Sequence, residues 1–138
     1  MSIRIGINGF GRIGRLVFRV IEERRSKGEN IKVVAINDPF IEKDYLQYLL
    51  KNDSVHGHID YTIGDDSDDL LINGNNIKLF TERNPSDIKW GDISAEYVIE
   101  STGVFTTIEK ASLHLQGGAK KVVITAPSSD APMYVMGV

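Results

Sequence analysis

The chain has 138 residues, of which 41% are hydrophobic and 25% charged, and 16 basic against 19 acidic side chains leave a net charge of −3. That is the length and balance of one globular domain, which excludes disorder and collagen, and no apolar run approaches the ~18 residues of a membrane span. The mild negative charge argues against nucleic acid or an anionic membrane as partner, and a cysteine count of 0 removes disulfides, thiolate metal sites and any cysteine nucleophile.

Ile3, Ile5 and Ile7 alternate as a first strand. No signal-peptide core precedes them, so the cytoplasm is the expected compartment. Ile13, Leu16, Val17, Val20 and Ile21 then recur at helical spacing and predict a buried face, with Arg15, Arg19, Glu22 and Glu23 toward solvent and Gly28 as the stop. The arginines at 12, 15, 19, 24 and 25 read as a solvated face and not as a nucleic-acid patch. The near-continuous apolar run from Ile31 to Ile36 predicts a strand covered on both sides. Asp44 to Lys51 reads as a second helix, ended by Asn52-Asp53-Ser54. The acidic stretch Asp65-Asp66-Ser67-Asp68-Asp69 lacks the spacing and closing glutamate of a calcium loop and is expected to be a solvated turn.

Leu70 to Ile72 and Ile77 to Phe80 flank Asn73-Gly74-Asn75-Asn76, a hairpin signal. Asn84-Pro85 and Trp90-Gly91 mark loops, and Tyr97 to Ile99 returns to a buried strand. Thr106 and Glu109 form a capping box for a helix expected to bury Ile108, Ala111 and Leu115 and to stop at Gly117-Gly118. Val122 to Ile124 and Met133 to Val138 read as two more strands. His56 and His58 lack a third ligand at zinc spacing, and His114 reads as a surface residue on its helix. No metal site and no catalytic residue is expected.

Strands and helices in this alternation imply an α/β fold: a Rossmann-type, doubly wound, mostly parallel sheet with a β-hairpin insertion. A chain that stops inside a strand leaves an unpaired edge, so residues 1–138 are expected to be a truncated dinucleotide-binding domain without a catalytic partner domain.

The chemistry concentrates in Gly9-Phe10-Gly11-Arg12-Ile13-Gly14, between the first strand and the first amphipathic helix. A lone G-x-G-x-x-G string is weak and fits any tight turn. Here Gly9 permits the turn, Gly11 admits a pyrophosphate close to the backbone, Gly14 lets helix and strand approach, and the N–H groups around Arg12 and Ile13 face the phosphates. Asp38 follows the second strand at about the 20-residue spacing expected of the acid that binds the adenosine ribose. A 2′-phosphate about 4 Å from that carboxylate is repelled by ~4 kcal/mol at an effective dielectric of ~20, which favours NAD over NADP. The simpler reading of Asp38 is a cap for the helix after Pro39.

Together these residues resemble a known family, the NAD-dependent phosphorylating glyceraldehyde-3-phosphate dehydrogenases. The similarity runs in order through Ile5 to Arg15, Ala35 to Phe40, Asp53 to Gly57, Glu82 to Pro85, Ile88 to Gly91, Glu100 to Phe105 and Ala126 to Val138. It implies that Asn8, Gly9, Phe10, Gly11, Arg12 and Ile13 hold the pyrophosphate of NAD and that Asp38 holds the ribose. It also implies Arg83 beside the adenine, Thr102, Gly103 and Phe105 around the adenine pocket, and Thr125 on the nicotinamide side. The family oxidises and phosphorylates an aldehyde in glycolysis through a thioester, as a homotetramer. Its cysteine nucleophile and histidine base have no counterpart here, so these residues alone are expected to be inactive. An erythrose-4-phosphate dehydrogenase parent, or a stand-alone NAD-binding or interaction module, is the alternative.

Overall fold

In a computed structural model of the chain the described residues are 3–40, 63–66, 69–72, 75–102 and 112–125. The expected helix from Asp44 to Lys51, the helix start at Thr106, the strand from Met133 to Val138, and His56 and His58 lie outside them. Strand β1 (Ile3–Asn8) leads into helix α1 (Arg12–Ser26) and strand β2 (Ile31–Asn37). Strands β3 (Ile63–Asp66), β4 (Asp69–Ile72) and β5 (Asn75–Phe80) follow, then two 3₁₀ turns at Pro85–Asp87 and Trp90–Ile93. Strand β6 (Tyr97–Glu100), the short helix α2 (Leu113–Gln116) and strand β7 (Lys121–Ile124) complete the described elements.

These strands form one sheet in the order β3-β4-β5-β2-β1-β6-β7. The five from β5 to β7 run parallel, while β3 and β4 add an antiparallel ribbon at the β5 side. This is the mostly parallel Rossmann-type arrangement with a hairpin. Two details of the ribbon differ from expectation. Asp65 and Asp66 belong to β3 and pair with Leu70 and Asp69, so the acidic stretch is two strand ends and not simply a turn. Asn75 pairs with Ile72, so the hairpin loop is two residues shorter than the Asn-rich run suggested.

The sheet buries a different cluster on each face. Ile5, Ile7, Val33 and Ile36 pack under α1 with Phe10, Phe18, Ile21, Ile72 and Ile77. Val34, Ala35 and Val98 pack on the other face with Ile88, Trp90, Ala95 and Ala119. A bulge explains how β2 supplies two successive residues to one face. Ile5 pairs with Val33 but Gly6 pairs with Ala35, which leaves Val34 as the extra residue.

The face that α1 buries is rotated from the one its aliphatic residues predict. Ile13 and Val20 are 48% and 46% exposed, whereas Phe18, Arg19 and Glu22 are buried. Gly14, Phe18 and Ile21 form the contact stripe, with the Phe18 ring edge-on to Phe10 at 5.8 Å. An aromatic ring removes more area from water than a valine, so it decides the rotation. Glu22 is satisfied by a two-pronged ion pair with Arg25 at 2.8 and 3.1 Å, and this hydrogen bonding raises the Arg25 guanidinium above its usual pKa. Arg19 is therefore not on a solvated face as expected, and its Nη1 has no hydrogen-bond partner.

The second helix departs in the same way. Leu115 is 46% exposed, and His114, expected at the surface, is completely buried. Its ring sits 5.9 Å from that of Trp90, and the indole N–H donates to Nδ1 at 3.0 Å. A polar partner within the core turns this face of α2 inward, which apolar spacing alone does not register.

A candidate dinucleotide cleft at the carboxyl ends of the strands

Chain order reverses between β1 and β6, since β2 and β5 lie on one side of β1 and β6 and β7 on the other. At such a switch point the loops after neighbouring strands diverge and leave a crevice beyond the strand ends. A cleft of about 470 Å³ opens there. Its floor is Asn8, Gly9 and Gly11; one wall is Asp38, Pro39 and Phe40, and Glu82, Arg83, Ser101 and Thr102 complete it.

The glycines divide the work. Gly9 has φ +92°, and a Cβ on it would stand 2.7 Å from Thr102 Cγ2. A Cβ on Gly14 would stand 2.2 Å from the Gly9 carbonyl oxygen, so only glycine lets α1 start this close to the loop. Gly11 is different: a Cβ there would meet nothing within 4 Å. Its bare backbone therefore answers to no neighbour in the fold, and the space above it suits an approaching ligand. Gly11 is also the N-cap of α1, with no side-chain cap and no acidic residue in the first turn. The positive end of a fifteen-residue helix is thus left open toward the cleft, as an anion site requires.

Asp38 stands beside the glycine loop. One carboxylate oxygen accepts the Phe10 N–H and the other the Phe40 N–H, each at 2.9 Å. It therefore ties the glycine loop to its own loop, and each oxygen keeps a second lone pair for a hydroxyl. Arg83 lies over the Phe40 ring with its guanidinium carbon 5.6 Å from the centroid. These features fit a dinucleotide: donors for a pyrophosphate, an acceptor for a ribose, and a flat cation–aromatic rim.

The sequence-predicted site residues are only partly brought together. Asn8, Gly9, Gly11, Asp38, Arg83 and Thr102 line the cleft. The Phe10 side chain is in the core, so only its backbone belongs to the loop. Arg12 and Ile13 open α1 beside the cleft and are exposed. Thr125 lies past the end of β7, where its hydroxyl donates to the Glu100 carbonyl at 3.1 Å, away from the cleft lining. Gly103 and Phe105 are outside the described residues.

Sequence reading missed what supports the floor. Asn8 pairs in register with Asn37 on one side and Glu100 on the other, so three polar residues end three apolar strands in one row. Asn37 Nδ2 donates to Asn8 Oδ1 at 2.7 Å and to the Glu82 carbonyl at 3.0 Å, while Asn37 Oδ1 accepts the Glu82 N–H at 2.8 Å. Asn8 Nδ2 donates to Glu100 Oε1 at 2.6 Å. Ser101 Oγ donates to the carbonyls of Asn8 and Gly9. The signal was present: each of these strands is an apolar run closed by one amide or carboxylate.

Comparison with known proteins agrees with this cleft. The family described as "Glyceraldehyde 3-phosphate dehydrogenase, NAD binding domain" matches residues 3–108. Glyceraldehyde-3-phosphate dehydrogenase B of Aspergillus oryzae is 59% identical over 138 residues, covering 100% of this chain and 40% of the relative. Glyceraldehyde-3-phosphate dehydrogenase 2 of Trichoderma koningii is 61% identical over 136 residues, covering 99% and 39%. Glyceraldehyde-3-phosphate dehydrogenase of Schizophyllum commune is 59% identical over 138 residues, again 100% and 40%. The chain thus spans about 40% of the length of the curated relatives it matches.

Proposed function

The chain belongs to the family of glyceraldehyde 3-phosphate dehydrogenase NAD-binding domains, and from that premise we propose that residues 1–138 act as one cofactor domain with NAD lying across the ends of β1, β2 and β6. The open start of α1, with Asn8, Gly9, Gly11 and the backbone from Phe10 to Ile13, takes the pyrophosphate. Asp38 takes the adenosine ribose, Arg83, Thr102, Gly103 and Phe105 border the adenine, and Thr125 belongs to the nicotinamide side. The observation that carries this assignment is the uncapped helix start at an open, glycine-lined cleft with the Asp38 carboxylate beside the loop.

Bound NAD supplies the hydride acceptor, and the residues here bind and orient it. For the intact protein we propose oxidation and phosphorylation of glyceraldehyde 3-phosphate in glycolysis, in the cytoplasm, as a homotetramer. The names of the relatives support that substrate over erythrose 4-phosphate and favour an enzyme over a stand-alone module. A thioester route needs a thiolate, and these 138 residues hold 0 cysteines, so by themselves they bind the cofactor without turnover.

The test is calorimetric titration of NAD and NADP against the intact protein and its Asp38→Asn variant at fixed salt. The amide keeps an acceptor for one of the two loop N–H groups, sets a donor against the other, and loses the charge. NAD should weaken by about 1.5–3 kcal/mol, the scale of a hydrogen bond to a charged group. NADP should weaken less, or strengthen, because its 2′-phosphate no longer meets an anion. An unchanged NAD/NADP ratio would reduce Asp38 to a loop anchor.

A further inference from the structure

The cleft rests on a buried ionisable pair that takes no part in lining it. Glu100 is 1% exposed and His114 0% exposed, with His114 Nε2 at 2.7 Å from Glu100 Oε1. Which ring nitrogen carries the proton follows from the other side of the imidazole. The Trp90 indole N–H is a donor and has no acceptor function, so the His114 Nδ1 it meets at 3.0 Å presents a lone pair. The proton is therefore on Nε2, and it points at Glu100. A doubly protonated ring would set two N–H groups against each other at the Trp90 contact. Asn8 Nδ2, 3.4 Å from His114 Nε2, is then a neighbouring donor to the same carboxylate and not a partner of the ring.

Glu100 collects donors on both oxygens. Oε1 takes the His114 and Asn8 groups; Oε2 takes the Thr102 N–H at 2.9 Å and the Thr102 hydroxyl. Both carboxylate oxygens are thus occupied, and the orientation of Glu100 is set from three separate elements. Three of its four donors belong to two residues that line the cleft, Asn8 and Thr102. Thr102 is also the residue against which Gly9 closes.

We propose that Glu100 is a positioning residue for the dinucleotide: oriented by the Trp90–His114 pair, it holds Asn8 and Thr102 at the spacing the bound cofactor needs. Trp90 and His114 act through it, from the face of the sheet opposite α1. This rests on the assignment of NAD to the cleft. A ligand that shifts Thr102 or Asn8 is felt at the indole through two consecutive hydrogen bonds, Glu100 to His114 and His114 to Trp90. A merely structural pair would leave the indole indifferent to occupancy of the cleft.

The experiment is an NMR titration of the intact, ¹⁵N-labelled protein with NAD, following the Trp90 indole N–H, identified by Trp90→Phe, and the Thr102 amide. Both resonances should shift along one saturation curve. In Glu100→Gln, which replaces two acceptor oxygens by one and adds a competing donor, NAD should weaken about 10- to 100-fold and the indole response should vanish. Trp90→Phe, which removes the N–H and keeps an aromatic ring, should weaken NAD by a smaller factor, about threefold. A stationary indole resonance at saturation, or Glu100→Gln binding within about twofold of the unaltered protein, overturns the proposal. The unaltered titration decides it alone if Glu100→Gln does not fold. Failure of the unaltered protein to bind NAD would overturn the cofactor assignment itself, which is a distinct result.

Discussion

The two faces of the sheet are closed by different chemistry. Under α1 the seal is apolar, with Phe10, Phe18 and Ile21 against Ile5, Ile7, Val33 and Ile36. Across the sheet it centres on Trp90, whose ring fits against Gly6 so closely that a Cβ there would stand 2.4 Å from it. That ring's single polar atom is committed to His114 and, through it, to the cleft support. Dispersion and area burial are non-directional, so the first face tolerates graded change. A hydrogen-bonded row in low dielectric does not, because each member removed leaves another unsatisfied.

The largest expected effect separates the two faces. Trp90→Ala should cost about 4–5 kcal/mol of stability, combining a large cavity with an orphaned His114 Nδ1, and should also weaken NAD. Ile21→Ala on the opposite face should cost about 3 kcal/mol and leave NAD affinity within about twofold, since Ile21 touches no part of the cleft support. Chemical denaturation with parallel NAD titration of the intact protein checks both. Equal losses of affinity in the two variants would erase the distinction between the faces.

The glycines sharpen it on a smaller scale. Gly9→Ala should destabilise by about 2 kcal/mol, because φ +92° is strained for alanine and the new Cβ meets Thr102. Gly11→Ala should leave stability within about 0.5 kcal/mol and still weaken NAD about tenfold or more, since its Cβ meets only the space a ligand takes. Thermal melting with and without NAD distinguishes fold from binding at the two positions. The smallest effect belongs to Arg19, buried with Nη1 unpartnered. Arg19→Met keeps the volume, removes the unsatisfied group, and should raise stability by about 1 kcal/mol in denaturant titration.

Strand positions and the glycine loop were legible because both follow from local rules. The apolar runs at Ile3, Ile31, Tyr97 and Val122 carry period and burial in a few consecutive residues, and Gly9 to Gly14 with Asp38 carries a spacing. The misreadings share one cause. Ile13 and Val20 looked buried, and Glu22 and His114 looked solvated, because a helical pattern counts apolar side chains and cannot see partners. Arg25 satisfies Glu22, and Trp90 with Glu100 satisfies His114, so these polar groups enter the interior at little cost.

The amino-acid sequence by itself determined the order of strands and helices, the place of the glycine turn between β1 and α1, and the carboxylate that follows β2, since each is written within one stretch of chain. Only the tertiary structure decided which polar residues are buried and what they serve. Asn37, Asn8, Glu100, His114 and Trp90 come from separate elements, and nothing local to any of them indicates the others. Parallel register brings Asn8 between Asn37 and Glu100, and packing of α2 against the Trp90 turn brings His114 to Glu100. A buried hydrogen bond has value only when its partner arrives, and arrival is a property of the fold.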